Sequence, residues 1–294
     1  MTADNITSMF TNKNNSAAFM PYVCCGDPTI EFTEKLIKIL VNEGADAIEL
    51  GIPFSDPIAD GKTIQAASMR ALQNRMQPSM VFELITRLRK CSITIPIIVM
   101  TYYNIVYANG VERFVSDMKN AGADGLIVPD APLEESDRLH AACEKDRIAF
   151  IYMITPNTSD ERMNVITDRA NGFLYAVSVI GITGARSNVA DGAISFIMRA
   201  KKITTIPIVC GFGISQPEQA RYFVNAGADG IIIGSEIINI YSRHMVEERF
   251  DEDKALEETA CFAREMKRAT TKDPKLSTGN DWLVSKTQFP ACLI

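Results

Sequence analysis

The chain has 294 residues, 47% hydrophobic and 22% charged, and 36 Asp+Glu against 30 Lys+Arg leave a formal net charge of −6. That is an ordinary globular composition, and the acidic balance without a Lys/Arg stripe excludes the phosphate-neutralising surface of a nucleic-acid binder. No apolar run approaches the ~20 residues that span a bilayer, and the polar start lacks the basic and apolar regions of a signal peptide, so a cytoplasmic protein with no membrane partner is expected.

Residues 1–17 are expected to form a short helix, around Met9–Lys13, that closes one end of the fold. Strand-like runs follow near 18–23, 46–50, 95–100, 124–128, 148–153, 173–177, 206–210 and 230–233, each trailed by a helical pattern. Leu36, Ile37, Leu40 and Val41, and later Val111, Phe114, Val115 and Met118, recur at helical spacing and should pack on a sheet. A near-repeat marks the joints: EGADAIEL from Glu43, AGADGLIV from Ala121 and AGADGIII from Ala226. Gly44, Gly122 and Gly227 suit the left-handed residue that ends a helix, and the β-branched run suits a strand buried on both faces. TIPIIV at 94–99 and TIPIVC at 205–210 precede the second and third copies, and each pair brackets one helix. Thr158 with Glu161 and Ser215 with Glu218 match capping boxes, the second with Pro217 in the first turn.

Eight βα units indicate an α/β fold: one (βα)8 TIM barrel over residues 1–270, with a C-terminal tail at 271–294 to which the sequence assigns no role. The tail carries the only Trp, Trp282. A doubly wound sheet competes, but it does not need eight evenly spaced units, and no G-x-G-x-x-G opens a helix.

The seven cysteines are scattered and never spaced as C-x-x-C, which suggests neither a disulfide framework nor a zinc cluster. His140 and His244 are the only histidines, both in helical patterns and expected at the surface, so acid–base chemistry falls to carboxylates or tyrosines. Barrel chemistry sits at the C-terminal strand ends, and these offer no Lys and no His, which argues against a Schiff-base or metal-dependent aldolase; no metal is expected.

In the second strand, alternation puts Ala47 and Glu49 inside the barrel, and a desolvated Glu49 near the mouth has a raised pKa suited to giving and taking a proton. The competing reading is a buried Glu paired with a core partner. The loop ELGIPFSDPIADG follows, stiffened by Pro53 and Pro57 and turned by Gly51 and Gly61; it can hold Asp60 over the mouth close to Glu49. Either acid of the loop could instead cap the next helix, and Asp56 suits a structural or interface role. Glycine segments at Gly181–Gly184, Gly211–Ser215 and Gly234–Ser235 occupy the later strand ends, where TIM barrels bind phosphate through backbone amides and a short extra helix, here from Ser235. Tyr22, Met100, Tyr102, Met153, Tyr175 and Phe212 lie at or near strand ends; singly each reads as core, and together they favour a flat apolar substrate with a phosphate at one end. Asp130, between Pro129 and Pro132, reads as support for its loop.

The loop motif, with GDP at 26–28 before it and GITGAR, GFGIS and IIGS after it, closely resembles the tryptophan synthase alpha subunit family from about residue 8 to 270. The resemblance implies a barrel that cleaves indole-3-glycerol phosphate to indole and D-glyceraldehyde 3-phosphate in tryptophan biosynthesis. It implies no cofactor in this chain and a beta-subunit partner that carries pyridoxal phosphate, in an alpha2beta2 heterotetramer. By the family pattern Glu49 protonates indole C3 and assists the cleavage, and Asp60 stabilises charge at the indole nitrogen. Tyr175 lies beside the substrate, Thr183 sits in a loop that closes over Asp60, and amides of Gly184, Gly213, Gly234 and Ser235 hold the phosphate. Pro53, Asp56, Pro57 and Asn104 face the beta subunit. Val179 stands where some relatives carry Arg, and the tail is longer than the family pattern. Two other functions compete: a barrel that mainly binds and activates its partner, and another phosphosugar isomerase or synthase.

Overall fold

The computed structural model describes residues 2–11, 16–177, 186–211, 213–247 and 249–272, excepting the side chains of 2–4 and 186–191. In chain order the elements are α1 (Thr2–Thr11), β1 (Ala18–Cys24), α2 (Ile30–Asn42), β2 (Ile48–Gly51), α3 (Lys62–Gln73), α4 (Pro78–Lys90), β3 (Ile97–Met100), α5 (Tyr103–Asn109), α6 (Val111–Ala121), β4 (Gly125–Ile127), α7 (Asp137–Asp146), β5 (Ala149–Ile154), α8 (Asp160–Arg169), β6 (Leu174–Val177), α9 (Arg186–Ile203), β7 (Ile208–Gly211), α10 (Pro217–Asn225), β8 (Gly230–Ile233), α11 (Ser235–Ser242) and α12 (Glu252–Ala269). The eight strands close into a parallel barrel in sequence order, with Ala18 paired to Gly230 where β1 meets β8. Helices cover the outer faces, so the strands are buried on both sides and read as nearly continuous apolar runs. The expected TIM barrel is what forms.

The Gly-Ala-Asp repeat does more than end helices. Gly44, Gly122 and Gly227 hold φ of +95°, +98° and +106°, the left-handed region. The Asp two residues on then reaches the neighbouring strand: Asp46 accepts from the Phe19 amide at 2.7 Å, Asp124 from Ile97 at 2.8 Å and Asp229 from Ile208 at 2.8 Å. Each carboxylate also meets a cation, respectively Lys267 at 2.7 Å, Arg89 at 2.6 Å and Lys201 at 2.8 Å. A hydrogen bond to a charged group contributes about 1.5–3 kcal/mol, so the repeat pins the start of three strands to the joint that follows each.

The N-terminal helix starts earlier than expected, at Thr2, and lies against the barrel bottom. Asn5 donates to Asp124 at 2.9 Å, and a Cβ at Gly125 or Gly172 would meet Ile6 at 3.1 and 3.3 Å. At the other end of the chain Thr271 bridges Ser16, and the Ala17 amide donates to Thr270 O at 2.9 Å. Residues 273–294, with Trp282 and Cys292, lie outside the described residues.

Other expectations need correction. The bracket between TIPIIV and the second repeat holds two helices, α5 and α6, broken at Gly110 with φ +81°. Both capping boxes start one residue later: Ser159 caps α8, Thr158 instead closing a turn on Thr155, and α10 starts behind Gln216, with Gln219 accepting from the Gln216 amide. Neither histidine is simply at the surface. His140 Nδ1 lies 3.2 Å from the Tyr152 hydroxyl, and His244, beyond the end of α11, is 3.0 Å from Glu258 with its side chain 11% exposed. Among the described residues no helix is long and apolar enough to cross a membrane.

Candidate active site

Strand alternation turns Tyr22 of β1, Glu49 of β2, Met100 of β3 and Tyr175 of β6 into one cavity of about 340 Å³ at the C-terminal ends of the strands. Asp60 enters from the loop before α3; Gly213, Gly234 and Ser235 line the cavity from the β7 and β8 ends. Three of its lining residues are carboxylates, Glu49, Asp60 and Glu236, and among the described lining residues there is no Lys, Arg or His.

Glu49 is 1% exposed, and its Oε2 has no hydrogen-bond partner. Burial, and second the negative charge of Asp60, push its carboxyl up to about 8, so it is protonated at neutral pH. Asp60 is raised to about 6 by burial, opposed by its hydrogen bond from Tyr102, and is mainly ionised at neutral pH. Two carboxyls of different solvation thus hold different protonation states, the arrangement an acid and an electrostatic stabiliser require. The competing expectation, a Glu49 satisfied by a core partner, does not fit an unpartnered oxygen facing a cavity.

Tyr102 stands behind Asp60 and not in the lining. Its hydroxyl donates to Asp60 Oδ2 at 3.0 Å and accepts from the Ala59 amide at 3.1 Å, while its ring stacks on Phe54 at 5.1 Å. The β2–α3 loop is therefore held at both its aromatic and its acidic residue by the start of α5. Asp130 supports the same place by accepting from the Tyr103 amide at 2.8 Å.

Tyr22 and Tyr175 lie over glycines of the next strand. A Cβ on Gly51 would fall 2.2 Å from the Tyr22 oxygen, and one on Gly211 2.2 Å from the Tyr175 oxygen. In each pair the tyrosine sits two residues before the register partner of the glycine, Cys24 opposite Gly51 and Val177 opposite Gly211. Only glycine admits these inward rings. At the other end, Gly213 has φ +74°, and a Cβ on Gly234 would meet the Tyr22 ring at 2.9 Å. The amides two and three residues after Gly213, of Ser215 and Gln216, are taken by Gln219 Oε1 at 2.8 and 3.0 Å.

The structure thus gathers Glu49, Asp60, Tyr22, Met100, Tyr175, Gly213, Gly234 and Ser235, whereas Thr183, Gly184 and Phe212 lie outside the described residues, as does Val179. Of the residues tied by resemblance to a partner, Asp56 and Asn104 are exposed, Pro57 is half-buried and Pro53 is buried. Ile58, 82% exposed, and Tyr107, 64% exposed, sit on the same two segments and were not singled out by the sequence. Nor were Ile64, Ile127, Ile214, Ile232, Glu236 and Asn239, which line the cavity. Inward alternation from Glu49 would have found Ile127 and Ile232, and Glu236 and Asn239 share the first turns of the helix that starts at Ser235.

Comparison with known proteins gives a consistent picture. Residues 9–271 match the family described as tryptophan synthase alpha chain. The chain is 43% identical over 240 residues to the tryptophan synthase alpha chain of Methanoregula boonei, covering 82% of this chain and 90% of that one, and 38% identical over 252 residues to that of Arabidopsis thaliana, covering 86% and 90%. Among solved structures it is similar to the tryptophan synthase alpha chain of Legionella pneumophila (TM-score 0.81, 32% identity, 90% of this chain and 97% of that one) and to a chain of the tryptophan synthase complex from Pyrococcus furiosus (TM-score 0.76, 34% identity, 86% and 98%).

Proposed function

Because the chain belongs to the tryptophan synthase alpha chain family, we propose that Glu49 and Asp60 carry out that family's chemistry in the barrel mouth. The reaction is the lyase reaction of the alpha chain in tryptophan biosynthesis: retro-aldol cleavage of indole-3-glycerol phosphate to indole and D-glyceraldehyde 3-phosphate. The chain itself carries no cofactor; pyridoxal phosphate belongs to the beta subunit, its partner.

Protonated Glu49 delivers its proton to indole C3, and the positive charge that develops on the ring N–H is stabilised by ionised Asp60. The Glu49 carboxylate then takes the proton from the hydroxyl on the adjacent side-chain carbon. As that hydroxyl becomes the aldehyde carbonyl, the C–C bond breaks, its electron pair returns to the ring and neutral indole forms, leaving Glu49 protonated for the next turnover. Tyr22, Met100, Tyr175 and Phe212 contact the flat ring, with Tyr102 acting through Asp60. Amides of Gly184, Gly213, Gly234 and Ser235 hold the phosphate, and Thr183 closes over Asp60. Pro53, Asp56, Pro57 and Asn104 lie toward the beta subunit in an alpha2beta2 complex, Pro53 by shaping the loop from beneath. A cytoplasmic location fits a chain in which no described helix can cross a membrane.

The observation that carries the proposal is the unpartnered, protonated Glu49 facing the same cavity as ionised Asp60. A synthase that needs a lysine is disfavoured by the described lining, and a purely activating role leaves the paired acids without a purpose. Glu49→Gln should bind indole-3-glycerol phosphate within about threefold of the parent and release no indole, because an amide keeps the shape and lacks the proton. Parent-like turnover by this variant ends the assignment.

A further inference from the structure

An anionic substrate must enter a cavity whose described lining holds three acidic side chains, only Glu49 of them neutralised by its proton, and no Lys, Arg or His. Glu49 and Asp60 work on the ring, but Glu236 has no part in that chemistry. It occupies the second position of α11, next to Ser235, in the turn where partial positive charge from the helix faces the cavity. A carboxylate there occupies the same favourable potential as a phosphate and repels it.

Its charge is fixed at the rim. Arg243 donates to Oε1 at 3.0 Å from the far end of α11, and Asn239, also in the lining, donates to Oε2 at 3.3 Å. Asn239 is in turn held through its Oδ1 by the Thr63 hydroxyl at 3.3 Å, on the first turn of α3. Both oxygens are therefore engaged, and the side chain, 18% exposed, is restrained from swinging into solvent. Arg243 lies outside the cavity lining and is 61% exposed, so it offsets the carboxylate without offering the phosphate a direct contact.

We propose that Glu236 is an affinity-limiting residue of the phosphate subsite, and that Arg243 is the positioning and neutralising residue that keeps this limit low. The idea rests on the reading that the phosphate lies at Gly213, Gly234 and Ser235. Built this way, the site holds the phosphate by backbone dipoles against a resident negative charge, which weakens retention of both substrate and the phosphorylated product after cleavage.

The test uses the full chain at low ionic strength, reading the KM for indole-3-glycerol phosphate and the inhibition constant of inorganic phosphate competing with it. A charge in the first turn of a helix predicts that Glu236→Gln tightens both constants by about two- to fivefold. Arg243→Gln should weaken both by about twofold, and in the Glu236→Gln background it should have no effect, because its action runs through the carboxylate. The Arg243→Gln change should shrink at 0.5 M KCl as that exposed charge is screened, and the Glu236→Gln change should shrink less, its side chain being 18% exposed. Unchanged or weaker phosphate binding in Glu236→Gln overturns the proposal, as does an Arg243→Gln loss of equal size in both backgrounds, which would make Arg243 a direct phosphate ligand. Inorganic phosphate that fails to compete in the parent overturns the phosphate reading itself; competition in the parent with no response to Glu236→Gln sinks only this inference.

Discussion

The Tyr102 hydroxyl donates to Asp60 at 3.0 Å while accepting from Ala59 at 3.1 Å, so one phenol fixes both the position and the ionisation of the loop acid. The bond favours the carboxylate and opposes the upward push of burial. Tyr102→Phe should therefore raise the pKa of Asp60 above about 6 and move the acidic limb of the pH–rate profile upward. With a hydrogen bond to a charged group lost, kcat/KM should fall about tenfold near pH 6 and less at pH 8. An acidic limb that stays in place would show that the phenol does not set this acid.

Burying Glu49 has a stability consequence with a definite sign. Its folded carboxyl titrates near 8 against an ordinary 4.5, so the native state binds the extra proton and stability falls as pH rises through that window. Glu49→Gln removes the penalty. Denaturant titrations should show the variant equal to the parent at pH 4 and more stable at pH 8.5, by on the order of a few kcal/mol. A variant less stable at the higher pH contradicts the burial argument.

Gly211→Ala places a Cβ 2.2 Å from the Tyr175 oxygen and 2.6 Å from the ring carbon that bears it, so the ring must leave its place. Overpacking of this kind costs about 1–3 kcal/mol. The barrel should still fold, with circular dichroism like the parent's, while the KM for indole-3-glycerol phosphate rises about tenfold. Gly61→Ala, where a Cβ meets nothing within 4 Å, is the control and should leave the fold unchanged.

Asp27 of the GDP segment is fully buried and accepts from Arg70 at 2.7 and 2.8 Å and from Tyr241 at 2.6 Å, which ties the end of β1 to α3 and α11. Arg70 is 31% exposed, so removing the carboxylate strands the buried Tyr241 hydroxyl and part of a guanidinium, a loss of about 1–3 kcal/mol. Asp27→Ala should lose that much in urea unfolding; a loss under 1 kcal/mol would mean that Arg70 finds water instead.

The strands, the repeat and Glu49 were legible because each rests on periodicity that a local pattern carries. The left-handed glycines stood out for the same reason, but the role of Asp46, Asp124 and Asp229 did not, since each reaches a strand some 20 residues or more away in sequence. Tyr102 was singled out for its place at a strand end, yet its task is to hold Asp60, a relation between two loops that no spacing encodes. The break at Gly110 and the one-residue shift of two helix starts show the usual limit, since several polar residues near a helix start can cap it and packing chooses among them. Glu236 was passed over because an acid in a first turn is ordinary on a surface helix; only the closed barrel turns it toward a cavity.

Two acids in opposite protonation states that cleave the substrate leave their mark on the pH dependence of kcat/KM for indole release. That constant reports the free enzyme, in which Glu49 must carry its proton and Asp60 must not. A bell is expected, falling below about 6 as Asp60 protonates and above about 8 as Glu49 ionises. A profile flat from pH 5.5 to 8.5, or one still rising above pH 8.5, would contradict it.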